Sequence, residues 1–176
     1  MTLTEHDYLT YQLYTASKSP SVRKGRLRRW LFTTITFAAM AFLFADRDDL
    51  FLFYYFVVAT LLSLTLYPFY SRWRYKRHYE KYIREVYKNR FGEEATVEIG
   101  DEQLVTKDKT GEGKFNISGI EAVNEIADYY FIKMVTGPSL IVPKRNPDID
   151  KFRSDLTSLV ATHGIAHNVE LDWRWK

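Results

Sequence analysis

Two apolar runs, 31–45 and 50–70, stand almost back to back in this chain, separated only by Asp46-Arg47-Asp48-Asp49. The basic segment Arg23-Lys24-Gly25-Arg26-Leu27-Arg28-Arg29 precedes the first run, and Arg72-Trp73-Arg74-Tyr75-Lys76-Arg77 follows the second. A helix rises ~1.5 Å per residue, so crossing ~30 Å of hydrocarbon takes about 20 apolar residues. The second run has that length and carries no charge. The first is shorter and reaches the required span only if 27–30 joins it, with Arg28 and Arg29 snorkelling to the headgroups. The pattern predicts a transmembrane helical hairpin over 21–73, with spans at about 27–45 and 50–70. Cytoplasmic flanks retain Lys and Arg, which places both termini in the cytosol. The competing reading is a buried hairpin of a soluble helical domain; it leaves unexplained why both uncharged runs carry basic residues on the same side.

The boundary residues are the candidate site. Arg23, Lys24, Arg26, Arg28, Arg29, Arg72, Arg74, Lys76 and Arg77 would meet headgroups, and Trp30 and Trp73 would sit in an interfacial aromatic belt with Tyr67, Tyr70 and Tyr75. In the second span, Thr60, Ser63 and Thr65 can bond to carbonyls of the preceding turn, and Pro68 falls near the end, where a lost helical bond costs least.

Charge separates the chain into two halves. Residues 1–90 carry 15 basic and 7 acidic side chains, whereas 91–176 carry 10 and 15. The positive excess therefore lies beside the membrane, where each basic residue near an anionic leaflet is worth ~1 kcal/mol. The acidic remainder lacks the basic patch of a nucleic-acid binder. There is no Cys, which excludes disulfide and thiolate chemistry. The opening 1–20 lacks the basic and apolar regions of a cleavable signal, so the first span is expected to act as an uncleaved insertion signal.

Outside the hairpin, 4–17 reads as a short amphipathic helix within a segment 1–20. Thr4 is its cap, Glu5 and Asp7 lie in its first turn, Tyr8, Tyr11 and Tyr14 form an aromatic face, and Ser19-Pro20-Ser21 breaks it. That face can lie in the headgroups or on protein; the lack of Lys or Arg on the polar face favours protein. Residues 74–92 predict a continuing helix, with Tyr79, Tyr82, Ile83, Val86 and Tyr87 at helical spacing and Gly92 as its end. From 94 the period becomes two. Strands are predicted at 95–99, 103–107, 114–118, 121–126, 129–136 and 139–143, parted by turn residues at 100–102, 110–113, 119, 127–128 and 137–138. In 129–136 both registers are apolar, so that strand should be buried on both faces. A helix over 149–162 follows, with Phe152, Leu156, Leu159 and Val160 as its stripe and Gly164 as its stop. Segment 93–165 thus reads as a small bent antiparallel sheet plugged by a helix, and 166–176 as an aromatic–basic tail.

At this level the chain resembles the YcxB-like membrane proteins, whose C-terminal module is related to bacterial pleckstrin-homology (PH-like) domains. The residues carrying the resemblance are Leu3-Thr4-Glu5-His6-Asp7-Tyr8, the basic stretch before the hairpin, the strand series from Ala95, Asn116-Ile117-Ser118-Gly119-Ile120-Glu121-Ala122-Val123, Phe131-Ile132-Lys133-Met134, and Ile141-Val142-Pro143-Lys144-Arg145. Where relatives carry Trp this chain has Asn116 or Ile117, and Gly119 stands where Asp is common. The resemblance implies an α+β membrane protein: a two-span hairpin followed by a PH-like domain, in the bacterial plasma (inner) membrane.

No motif announces a reaction. His163 and His167 are four apart, but a predicted helix end lies between them and two imidazoles fall short of a metal shell. Gly111-Glu112-Gly113-Lys114 precedes a strand rather than a helix and reads as a hairpin turn, not a phosphate loop. The carboxylates Glu93, Glu94, Glu98, Asp101 and Glu102 fall on exposed turns, and Ser118 and Ser139 have no evident base. No catalytic, cofactor-binding or metal-binding residue is assigned. Trp173-Arg174-Trp175-Lys176 suits either a membrane interface or packing of one indole on the protein. PH relatives suggest headgroup binding, yet the turn Gly100-Asp101-Glu102-Gln103 is acidic where theirs is basic. The functional expectation is a non-catalytic, membrane-anchored cytosolic module binding a protein partner in a regulatory or scaffolding role. Its alternative is a sensor of anionic lipid headgroups at the cytoplasmic face.

Overall fold

The computed structural model describes every residue except 47–49, 101, 110, 138 and 176. The chain divides into two compact units, Met1–Tyr11 with Tyr82–Arg174, and Gln12–Lys81 joined by Trp175. The expected acidic loop over 46–49 therefore lies, from 47 onward, outside the described residues, as do Asp101, Thr110, Pro138 and Lys176 of the predicted turns and tail.

The second unit is built on helices. The first helix, α1, spans Glu5–Lys18, and α2 spans Pro20–Leu43. The predicted break at Ser19-Pro20-Ser21 is a one-residue joint: the Ser19 hydroxyl accepts the Val22 N–H, and Pro20 occupies the first helical position, where its missing N–H costs nothing. The basic segment 23–29 is thus helical, inside α2. The third helix, α3, runs unbroken over Leu50–Val86 and takes Pro68 into its interior rather than near its end. It stops before Gly92, through a 3₁₀ turn at Lys88–Arg90, and Gly92 itself has φ of +74°.

Contacts between α2 and α3 run antiparallel. Phe44 stacks on Phe56 with centroids 5.7 Å apart, the Thr34 and Ser63 hydroxyls share a hydrogen bond of 2.9 Å, and Arg26 Nε donates to Ser71 Oγ at 3.3 Å. Thr60 and Thr65 bond back to the carbonyls of Phe56 and Leu61 as expected, but Ser63 pairs across the helices instead. Small hydroxyl side chains let two helices approach closely and hold together where water is absent. Among the described residues α3 is the one helix long and apolar enough to cross a membrane. The apolar part of α2 is short because basic residues fill its N-terminal third.

The first unit holds two sheets. Strands β1 (Thr96–Ile99), β2 (Gln103–Asp108) and β3 (Gly111–Asn116) form an antiparallel sheet in that order. Strands β4 (Ile120–Ile126), β5 (Tyr129–Met134), β6 (Ser139–Pro143) and β7 (Ala166–Glu170) form a second, ordered β6-β5-β4-β7. Between β6 and β7 lies α4, Ile149–His163, closed by Gly164 in the left-handed conformation at φ 62°. The helix carries the chain back so that β7 runs parallel to β4, with Val123 beside His167. The sheet is therefore mixed, not antiparallel throughout, and part of the predicted tail is a strand. Its sequence, Ala-His-Asn-Val-Glu, shows no apolar alternation because β7 is exposed along most of its length. Gly111-Glu112-Gly113-Lys114 is likewise strand and not turn. These residues make up most of β3, paired so that Gly113 faces Thr106; a Cβ there would lie 2.8 Å from the Thr106 hydroxyl.

Packing follows from the two-sided character of β5. Tyr130, Ile132 and Met134 join Val123, Val142 and the α4 stripe Phe152, Leu156 and Leu159 in one core. Tyr129 and Phe131, on the opposite register, are buried too, stacked at 5.7 Å, with Tyr11 of α1 tilted against Phe131 at 5.4 Å. Leu156 is 2% exposed, so emptying its site in Leu156→Ala should cost about 2–5 kcal/mol. Denaturant unfolding of the full chain in detergent, followed by hydrogen exchange over β5, measures it; a cost below about 1 kcal/mol would make α4 peripheral.

Candidate functional site

Every predicted interface residue lies on α2 or α3. Lys24, Arg28 and Arg74 are exposed. Others are held by neighbours. Arg29 Nη2 donates to the Tyr75 hydroxyl, and Trp30 Nε1 donates to the Ser63 carbonyl at 3.2 Å. The guanidinium of Arg77 lies 5.3 Å over the Trp73 ring and that of Arg72 lies 5.6 Å over Phe69, cation–π distances that fix long side chains in direction. Lys76 approaches Glu80 only to 4.0 Å, a solvated pair of little energetic weight. Trp175 packs with this set: its Nε1 donates to the Arg72 carbonyl at 3.3 Å, and the Arg26 guanidinium sits 5.2 Å over its ring. The structure thus brings Arg26, Arg72 and Trp175 together, a grouping that no spacing in the sequence indicates.

A second constellation was missed entirely by sequence reasoning. Asp7, read as a favourable charge in a first helical turn, is completely buried. Its carboxylate accepts from the Thr4 N–H at 2.6 Å and the Thr4 hydroxyl at 2.9 Å, so the cap is reversed: Asp7 reaches back to Thr4. It also accepts from the Tyr129 hydroxyl at 2.6 Å and from both terminal nitrogens of Arg145, one at 2.7 Å. Arg145 Nη2 further donates to the Thr2 carbonyl at 3.1 Å. Residues 1–3 run beside 92–95, with Gly92 N–H to Leu3 O at 2.9 Å and Ala95 N–H to Met1 O at 2.8 Å. Tyr8 stacks on Tyr87 at 4.6 Å. The start of the chain is clamped onto the mixed sheet by one buried carboxylate.

Electrostatics agree with geometry. Burial alone would raise the Asp7 carboxyl, but Arg145, Thr4 and Tyr129 outweigh it and lower its pKa from 3.8 to about 2. Burial and the Asp7 bond push the Tyr129 phenol up to about 12. The Asp7 bond raises Arg145 as well. A carboxylate held ionised in this way is not poised to donate a proton near neutrality.

The same logic applies to Glu125. Burial raises it, yet Lys144 at 2.7 Å and His167 at 3.0 Å prevail and hold it low. Lys144 also lies 4.8 Å over the Tyr130 ring, whose hydroxyl accepts from Arg153 Nε at 3.1 Å. The group ties β7 to β4. His167 is consumed there while His163 ends α4, so the two imidazoles serve different elements. Among the described residues no group of three His, Cys, Asp or Glu side chains is arranged to hold a metal ion. A polar recess of about 280 Å³ opens beside α4, lined by Ile99, Gly100, Ile117, Asp155, Ser158 and Thr162 among others.

Comparison of the chain with protein-family models, with curated proteins and with solved structures finds no match in any of the three.

The clamp makes a prediction. The folded pKa of Asp7 lies below the unfolded one, so its contribution is complete above 3.8 and is lost as pH falls toward about 2. Arg145 is half-exposed, which discounts the ~3–5 kcal/mol cost of breaking a fully buried pair. Asp7→Ala should therefore cost about 2–3 kcal/mol at pH 7 and flatten the decline of stability between about pH 4 and pH 2. Hydrogen exchange of β5 amides against pH reads both; an unchanged acid profile would contradict the assignment.

Proposed function

We propose that this protein is a YcxB-like, two-span anchor of the bacterial inner membrane that presents a PH-like, non-catalytic module to a protein partner in the cytosol. One observation carries the anchoring. Of the most apolar 18 residues of α3 only 6% are buried. Phe51, Leu61 and Phe69 are 75%, 58% and 66% exposed, and Phe32 and Phe42 on α2 are 73% and 81% exposed. The core helix of a soluble protein hides such residues, and an uncovered apolar surface of this extent calls for lipid. The antiparallel pairing of α2 with α3 supports a second crossing by α2 despite its short apolar part, with Arg28 and Arg29 at the headgroup level.

A binding role is favoured over catalysis by the state of the candidate groups. Asp7 and Glu125 are paired with cations, Lys144 and His167 bind Glu125 of β4, and the Tyr130 hydroxyl accepts from Arg153 of α4. The surface best suited to a partner is the outer edge of β7, which is hydrogen-bonded to β4 alone and carries half-exposed Val169 and Leu171 at and just beyond its end. An edge of this kind can accept a further strand, with backbone bonds supplying affinity. Anchoring raises the local concentration of the module at the membrane, so a modest affinity suffices.

A reporter fused after residue 176 should read cytosolic and one inserted at Asp48 extracytoplasmic; a cytosolic reading at Asp48 would remove the second span. A photo-crosslinking amino acid at Val169 in native membranes should give a discrete protein adduct that the same group at Glu85 does not. Equal labelling at both positions, or none at Val169, would remove the β7 edge as the docking surface.

A further inference from the structure

We infer that the α2–α3 pair holds one anionic phospholipid in a crevice at the basic end of the hairpin, its phosphate on Arg23 and Arg26. This inference rests on the membrane-anchor reading and gives it a specific ligand. The crevice has a volume of about 290 Å³ and lies within the helical unit, between Arg23, Arg26, Leu27 and Trp30 of α2 and Tyr67, Pro68 and Ser71 of α3.

Its depth is set by both helices at once. On α2 the lining passes from Arg23 and Arg26 to Leu27 and Trp30, and on α3 from Ser71 to Pro68 and Tyr67, so both walls change from polar to apolar in the same direction. That is the gradient a phospholipid has between phosphate and acyl chains. Arg23 and Arg26 are three apart and issue from one face of the helix. Arg26 is oriented by Ser71 Oγ at 3.3 Å and by the Tyr75 and Trp175 rings at 5.7 and 5.2 Å, so part of its ordering cost is met before a ligand arrives. Beyond the crevice the lipid chains would continue over exposed Leu31 and Leu64.

Charge selects the lipid. The sequence has no Asp or Glu between Asp7 and Asp46, and none between Asp49 and Glu80. The amine of a zwitterionic headgroup therefore finds no counter-charge on either helix near the crevice, whereas a net anion meets the guanidinium groups of Arg23 and Arg26. Guanidinium and phosphate pair through parallel N–H donors, a geometry that Arg provides and a point charge does not.

The test uses the full chain in nanodiscs of mixed phosphatidylglycerol and phosphatidylcholine, moved into detergent, with native mass spectrometry counting retained lipid. One phosphatidylglycerol per chain should be retained, and phosphatidylcholine should not. Arg23→Gln with Arg26→Gln should reduce retention about tenfold or more. Lys81→Gln with Lys88→Gln removes equal charge from exposed positions outside both the lining and the headgroup-level set and should leave retention nearly unchanged. Leu27→Trp, which fills the crevice from its exposed side without altering charge, should also abolish retention, and it carries the test if the double arginine variant does not fold. Equal losses from the two charge pairs, retention undiminished in Leu27→Trp, or equal retention of phosphatidylcholine would each overturn the proposal. Alkaline extraction separates the two readings. Protein that stays in the membrane pellet but retains no lipid defeats the crevice alone, and protein released from the membrane defeats the anchor and the crevice together.

Discussion

The buried carboxylate of Asp7 is the interaction on which the mixed sheet depends. A strand such as β5, apolar on both registers, needs cover on both faces, and α4 covers only one. The other is covered by the beginning of the chain, which is held there through Tyr129 and Arg145. Burying a charge is costly unless it is paired and hydrogen-bonded, and Asp7 is both. In the placement observed, Asp7 bonds to Thr4 within its own turn and to Tyr129 and Arg145 of the sheet region together.

That constraint also explains why residues at opposite ends of the chain fold as one unit. Asp7 and Arg145 are separated by 138 positions, and their contact closes the stretch of chain that contains both apolar runs. The backbone bonds from 92–95 to residues 1–3 close it a second time, close to where α3 ends.

Within the helical unit the physics is different. Its helices meet through hydroxyls and aromatic rings and leave their large apolar side chains outward, the reverse of a soluble core. The proposed lipid setting would rationalise this, because apolar side chains gain little by leaving hydrocarbon and association there rests on close packing and polar contacts. Arg26, Arg29 and Arg77 at the basic end are held in ordered positions by Ser71, Trp175, Tyr75 and Trp73.

Local pattern determined the two apolar runs with their basic flanks, the strands β1, β2, β4, β5 and β6, the two-sided burial of β5, and the α4 stripe closed by Gly164. Each of these is written in spacing a few residues long, which is the range over which periodicity and turn chemistry act. Tertiary structure decided the rest. It made Asp7 a buried clamp instead of a surface charge, because its partners lie far away in sequence. It made Gly111–Lys114 strand instead of turn, because β2 was there to pair with. It added β7, whose side chains carry no apolar pattern, because a parallel strand can be recruited by backbone bonds to β4 and by Glu125 reaching His167. The candidate interface residues were legible one by one as charges and indoles. Their arrangement into a crevice was not, since it depends on which faces of α2 and α3 meet, and that is set by packing between helices rather than by either sequence alone.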